Sequence, residues 1–148
     1  PERPALLWRY WGHSSHGLNS EICFKSGRTA HARAPPRGPP LCKDIEWTDV
    51  LEHLNPSRHL PYPIPSPFIS TSSRLLWLIR IALRKQNPDG CISVINPAVL
   101  DQGAIYYVPP FHTELKKHLA FDNAAQYYKG ISEHLVWDEI PELAMVNT

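Results

Sequence analysis

Arg9, Ser70, Thr71, Ser72 and Glu133 are the residues of this chain whose types and settings suit catalysis. They lie in three short apolar segments: Leu6-Leu7-Trp8-Arg9-Tyr10, Phe68-Ile69-Ser70-Thr71-Ser72 and Ser132-Glu133-His134-Leu135-Val136. A carboxylate on a rigid element can stabilise the oxocarbenium ion that forms when a bond to a sugar C1′ breaks. An arginine fork can hold two phosphate oxygens at once. A hydroxyl beside the carboxylate can orient it. Such groups must sit on rigid elements, because a small misplacement is costly.

The elements that must carry them can be read from periodicity and turn residues. Residues 5–11 predict a strand, apolar and aromatic between Pro4 and Gly12. Residues 68–71 predict another, running straight into a helix over 72–86. On that helix Leu75, Leu76, Ile79, Ala82 and Leu83 share one face, with Arg74, Arg80 and Arg84 opposite. Asn87-Pro88-Asp89-Gly90 ends it with turn chemistry. Further short strands are expected over 91–95, 104–108 and 133–137, with a last one over 143–146. Pro109-Pro110 closes the second of these, and Ile140-Pro141 breaks the chain after the third. Weaker helical patterns cover 44–54, with Thr48 as cap, and 113–121 and 122–129.

The chain has 148 residues, one domain over 1–148, enough for a single core. Its 16 prolines fall mostly in connections and predict short elements joined by long loops. Residues 25–43 hold Lys25, Arg28, Arg33, Arg37 and Lys43 with four prolines and no acid, which predicts an exposed, basic, proline-rich loop. It reads as a solvated linker or as a contact for a polyanion. A net charge of +1 selects neither nucleic acid nor membrane, and no apolar run is long enough to span a bilayer. Cys23, Cys42 and Cys91 form no CxxC pair, so no zinc site is expected, and Cys23–Cys42 is the one bridge the reading leaves open. His13-Ser14-Ser15-His16 lies in a polar loop without a nearby acid or cysteine and reads as solvated. No GxGxxG or Walker pattern supports a Rossmann or P-loop nucleotide site. Pro1 in place of methionine fits a processed chain, cytoplasmic or secreted after loss of a targeting segment.

The order of the three segments, arginine, then Ser-Thr-Ser, then glutamate, resembles the R-S-E class of ADP-ribosyltransferases. The Ser-Thr-Ser that ends a strand and opens a helix is the strongest part of the likeness. Glu133-His134-Leu135-Val136 followed by Asp138-Glu139-Ile140-Pro141 also fits that form. The chain further looks like a fungal domain of unknown function with this layout, ending in Leu-Val-Trp, an acid, then Glu-Ile-Pro.

The resemblance implies an α+β fold, a split, twisted β-sandwich with a few short helices. It implies NAD as substrate, no metal, and a mono-ADP-ribosyltransferase or NAD glycohydrolase cleaving the nicotinamide–ribose bond. Arg9 would anchor the diphosphate, Ser70 would contact Glu133 and the ribose, and Glu133 would be the catalytic carboxylate. Tyr10, Thr71, Ser72 and Tyr128 would complete the NAD site, with Tyr127 an alternative to Tyr128. Asn19 and the Ser14/Ser15 loop are further phosphate candidates, and Glu139 is the rival carboxylate. Two departures stand out. Ile131 occupies the place, two before the glutamate, where the family usually has Gln or Glu. Tyr10 follows the arginine where glycine is common. The acceptor, protein or nucleic acid, stays open; a monomer without membrane attachment is expected. A toxin-like or effector role is one implication, and a non-catalytic interaction module on the same fold is the alternative.

Overall fold

The computed structural model describes residues 3–31, 38–41, 44–45, 49–50, 53, 65–111, 113 and 130–146. These form a mixed α+β domain of antiparallel sheets with few helices. The strands are β1 (Leu7–Trp11), β2 (Leu18–Asn19), β3 (Phe24–Lys25), β4 (Phe68–Ser72), β5 (Cys91–Ile95), β6 (Ile105–Tyr107), β7 (Glu133–Trp137) and β8 (Glu139–Ile140). The helices are α1 (Gly27–His31) and α2 (Leu75–Lys85). One sheet runs β5-β1-β4-β7-β6, the other β2-β3-β8.

Alternation along β4 and β7 sets two packing faces. Phe68 opposes Trp137 and Ser70 opposes Leu135, while Ile69 opposes Val136. The first face buries Phe68, Leu135 and Trp137 with Ile45, Val50, Tyr106, Val108 and Phe111. Phe68 makes edge-on contacts with Tyr106 and Trp137, at centroid distances of 5.9 and 5.5 Å. The second face buries Ile69 and Val136 with Leu7, Ile95, Leu100, Ala144 and Met145, and receives Phe24 and Ile140 from the smaller sheet. Burial of this kind stabilises by roughly 25 cal/mol per Å² of apolar surface removed from water.

Several elements differ from the sequence reading. Residues 25–31 are not loop: Lys25 lies in β3, Ser26 and Gly27 are buried, and α1 follows. Arg28 there is ion-paired with Asp49. Residues 32–37 and 42–43 of the basic segment lie outside the described residues. Pro109 and Pro110 open a helical turn that begins at Val108 instead of merely closing a strand. Proline suits a first turn, where its missing N–H has no partner to lose. Residues 143–146 make no strand: Glu142–Ala144 is a 3₁₀ turn, and only Met145 bridges Ile95. Glu139 and Ile140 form β8, where Ile140-Pro141 was expected only to break the chain. Of the helix expected over 44–54, Asp49, Val50 and His53 are helical. Of the helices expected over 113–121 and 122–129, Thr113 is helical and the rest lies outside the described residues.

The main helix begins at Leu75, after the Ser-Thr-Ser, and its expected apolar face is turned outward. Leu76 and Leu83 are 77% and 71% exposed, and Leu78 is the one buried residue. A stripe count finds the most apolar side of a helix. Which side meets the sheet depends on how the helix crosses β1 and β4, and that is a tertiary matter. Cys23 and Cys91 are free thiols, so the Cys23–Cys42 bridge is not formed; Cys42 itself lies outside the described residues.

Candidate active site

β1 and β4 are in register at one pair, Trp8 with Ser72, whereas β4 and β7 pair along five. Beyond that pair the two strands are no longer bridged, and a cleft of about 210 Å³ opens beside α2. Arg9, Tyr10, Ser70, Thr71, Ser72 and Glu133 all line it, with Trp77, Leu78 and Ile81 of α2 as its apolar wall. Tyr128 lies outside the described residues, as does Tyr127. Ile131 is 57% exposed and Glu139 is exposed on β8, so neither shares the cleft.

Arg9 bridges the parting strands. Its Nη1 donates to the Ser70 carbonyl at 2.9 Å. Its Nε and Nη2 both donate to Asn19 Oδ1, at 3.2 and 2.7 Å. The guanidinium also lies over the Phe24 ring, 5.1 Å from its centroid. Burial lowers its pKa to about 10, which leaves the cation intact at neutral pH. Three of five N–H donors are thus engaged within the protein, and two remain for a ligand among the described residues.

Asn19 therefore serves Arg9 directly; its expected role was to reach phosphate. Its Nδ2 donates to the carbonyls of Ser15, His16 and Gly17, so the same amide ties the 15–17 loop to the arginine. Gly17 has φ +82°, and a Cβ there would strike the Lys25 carbonyl, so this loop requires glycine.

The Ser-Thr-Ser residues divide their work. Thr71 Oγ1 donates to the His134 carbonyl at 2.7 Å across the β4–β7 pair. Ser72 Oγ accepts from Arg74 N at 3.1 Å and lies 3.3 Å from Ser132 Oγ. Ser72 thereby secures the turn into α2 without capping it, since the helix has no side-chain cap. Ser132 adopts φ +76°, a left-handed conformation that aims the next residue, and Ser73 N donates to its carbonyl at 2.9 Å.

Glu133 sits at the start of β7, opposite Ser72, partly buried. Burial raises its pKa to about 7, with a hydrogen bond from the Ser70 hydroxyl pulling the other way. Ser70 Oγ also lies 2.7 Å from His53 Nε2, and His53 Nδ1 lies 2.7 Å from Ser66 Oγ. Ser66 Oγ in turn accepts from Phe68 N at 3.0 Å. Burial, then the charges of Arg9 and His16, lower the His53 pKa to about 4, so the ring is neutral. His53 escaped the sequence reading because it lies 17 residues from Ser70 in a weak helical pattern, with no motif around it.

Tyr10, where glycine was the expected neighbour of the arginine, fits because Gly90 leaves room: a Cβ there would strike the Tyr10 hydroxyl. Among the described residues that hydroxyl is buried without a hydrogen-bond partner, and Lys85 Nζ lies 5.5 Å from the ring centroid.

The cleft thus joins a fixed cation, a hydroxyl and a carboxylate poised near neutral pKa. That set can bind an anion at one side and meet developing positive charge at the other. No curated protein matches the chain. A family model described as a domain of unknown function (DUF7587) matches residues 2–148, nearly the whole chain, and the protein belongs to that family.

Proposed function

We propose that this is an ADP-ribosyltransferase-like domain that binds NAD and cleaves its nicotinamide–ribose bond, passing ADP-ribose to an acceptor or to water. The observation that carries the reading is the meeting of Arg9, Ser70 and Glu133 in one cleft although they come from three strands. Arg9 offers its two remaining donors to the diphosphate. Ser70 holds Glu133, and the ionised Glu133 stabilises the oxocarbenium ion and takes a ribose hydroxyl bond. A cleft of about 210 Å³ suits the nicotinamide ribose, not a whole dinucleotide. Exposed Ile131 supplies no polar group to orient an acceptor, which favours water or an acceptor brought by its own docking contacts.

The test is calorimetric titration with NAD together with release of nicotinamide, for the parent and for Glu133→Gln. Binding by both with release by the parent alone supports the reading. A parent that neither binds nor cleaves NAD would make this a non-catalytic module on an α+β scaffold.

A further inference from the structure

From Ser70 to Ser66 runs a line of hydrogen bonds through the His53 imidazole, and Glu133 lines the same cleft beside Ser70, whose hydroxyl favours its ionised form. Each hydroxyl has one proton to give, and a neutral imidazole has one donor and one acceptor nitrogen. The directions along such a line are therefore linked. We propose that His53 is a positioning residue whose tautomer is coupled to the protonation of Glu133 through Ser70, so that the ring holds the Ser70 hydroxyl toward the carboxylate only when that carboxylate is ionised. The proposal deepens the functional reading above and rests on it only for its kinetic consequence.

The two states follow from counting protons. With Glu133 ionised, Ser70 donates to the carboxylate, so its oxygen must accept from His53 Nε2–H. Nδ1 is then bare and accepts from the Ser66 hydroxyl. With Glu133 protonated, its O–H can donate to Ser70 Oγ. Ser70 turns its proton to a bare Nε2, and Nδ1–H donates to Ser66 Oγ. One proton is taken up at Glu133, and the imidazole stays neutral in both states.

Ser66 can serve both states because Phe68 N supplies its oxygen with a separate donor. The ring itself is held by the edge of Phe68, at a centroid distance of 5.7 Å. Among the described residues, the other titratable or charged groups that face the line are Arg9 and Tyr10 from β1 and His16 from the loop that follows. The cleft side of α2 brings only Trp77, Leu78 and Ile81. None of these, among the described residues, makes a hydrogen bond with the imidazole that would fix its tautomer independently.

The experiment reads the ¹⁵N shifts of the His53 ring in the ligand-free protein between about pH 5.5 and about pH 8.5. The expected result is a passage from Nδ1–H to Nε2–H with a midpoint equal to that of the Glu133 side-chain ¹³C titration. In Glu133→Gln the passage should vanish. A ring that keeps one tautomer throughout, that becomes doubly protonated in this range, or that still switches in Glu133→Gln overturns the proposal.

The kinetic arm compares His53→Ala, which loses the donor, with His53→Gln, which keeps an N–H. Above the Glu133 midpoint, kcat for nicotinamide release should fall about tenfold in the alanine variant with KM little changed, and recover in the glutamine variant. Equal kcat in all three folded proteins overturns the positioning role. A parent with no turnover refutes the NAD reading, while the ring shifts, measured without NAD, still decide the coupling.

Discussion

Glu133 and His53 are joined through one serine yet are displaced in opposite directions, the acid up to about 7 and the imidazole down to about 4. Both shifts come first from burial, which disfavours the charged form of either group. Their effects on stability have opposite slopes. The Glu133 contribution is fully present below about 4.5 and is lost as pH rises through about 7. The His53 contribution is present above 6.5 and is lost as pH falls through about 4. Each is on the order of 3 kcal/mol, so between these ranges the two largely cancel. Glu133→Gln should expose the His53 slope: stability by urea unfolding should rise from pH 4 to pH 6.5, and exceed that of the parent at pH 8. The same substitution should lower kcat for nicotinamide release by roughly 10²–10³, the scale of losing one electrostatic stabiliser. Parent kcat should itself rise with pH through about 7 as Glu133 ionises. Arg9→Lys keeps the charge but loses the fork held by Asn19 and the Ser70 carbonyl, so the Kd for NAD should rise while the fold survives. A variant binding NAD as tightly as the parent would remove Arg9 from the diphosphate site.

The elements carry these residues with unequal security. β7 pairs with β4 along five residues and with β6 along three, so Glu133 stands on the best-tied strand of the sheet. α2, the cleft wall, is anchored by Leu78 alone among its buried residues. Leu78→Ala should cost about 2–5 kcal/mol, whereas Leu83→Ala, on the outward side, should change stability by no more than about 0.5 kcal/mol. Denaturant midpoints compare the two directly, and equal costs would mean that α2 packs through the face the periodicity favoured. The strands over 91–95 and 133–137 were legible to the residue, because apolar runs bounded by turn residues are local signals. The start of α2 was not. Ser72 has the chemistry of a cap, yet its hydroxyl is taken by Arg74 N and its neighbour Ser132, and the β4–β7 ladder holds the residue in strand.

Across the whole molecule, the basic segment 25–43 changes meaning once it is folded. Arg28 belongs to α1 and pairs with Asp49, while Asp138 accepts from the Thr29 hydroxyl at 2.8 Å and its carbonyl accepts from Ser26 N at 2.7 Å. Arg28→Ser should therefore cost stability, on the order of 0.5–1 kcal/mol for a partly exposed pair. Replacement of Arg33 and Arg37 by serine should lower any modification of a polyanionic acceptor, with an effect that fades as salt rises. By itself the sequence determined the five strands of the larger sheet and that an arginine, a serine and a glutamate each ride on one of them. Those are properties of local pattern: alternation tells which residues share a face of their own element. The tertiary structure decided the rest. Arg9 reaches Ser70 across 61 residues because β1 and β4 part after one pair. His53 reaches Ser70, Asn19 turns to Arg9, and α2 buries Leu78 instead of its most apolar side. Each depends on how elements cross and which strands are neighbours, and packing over long sequence separations sets that order where no local periodicity records it.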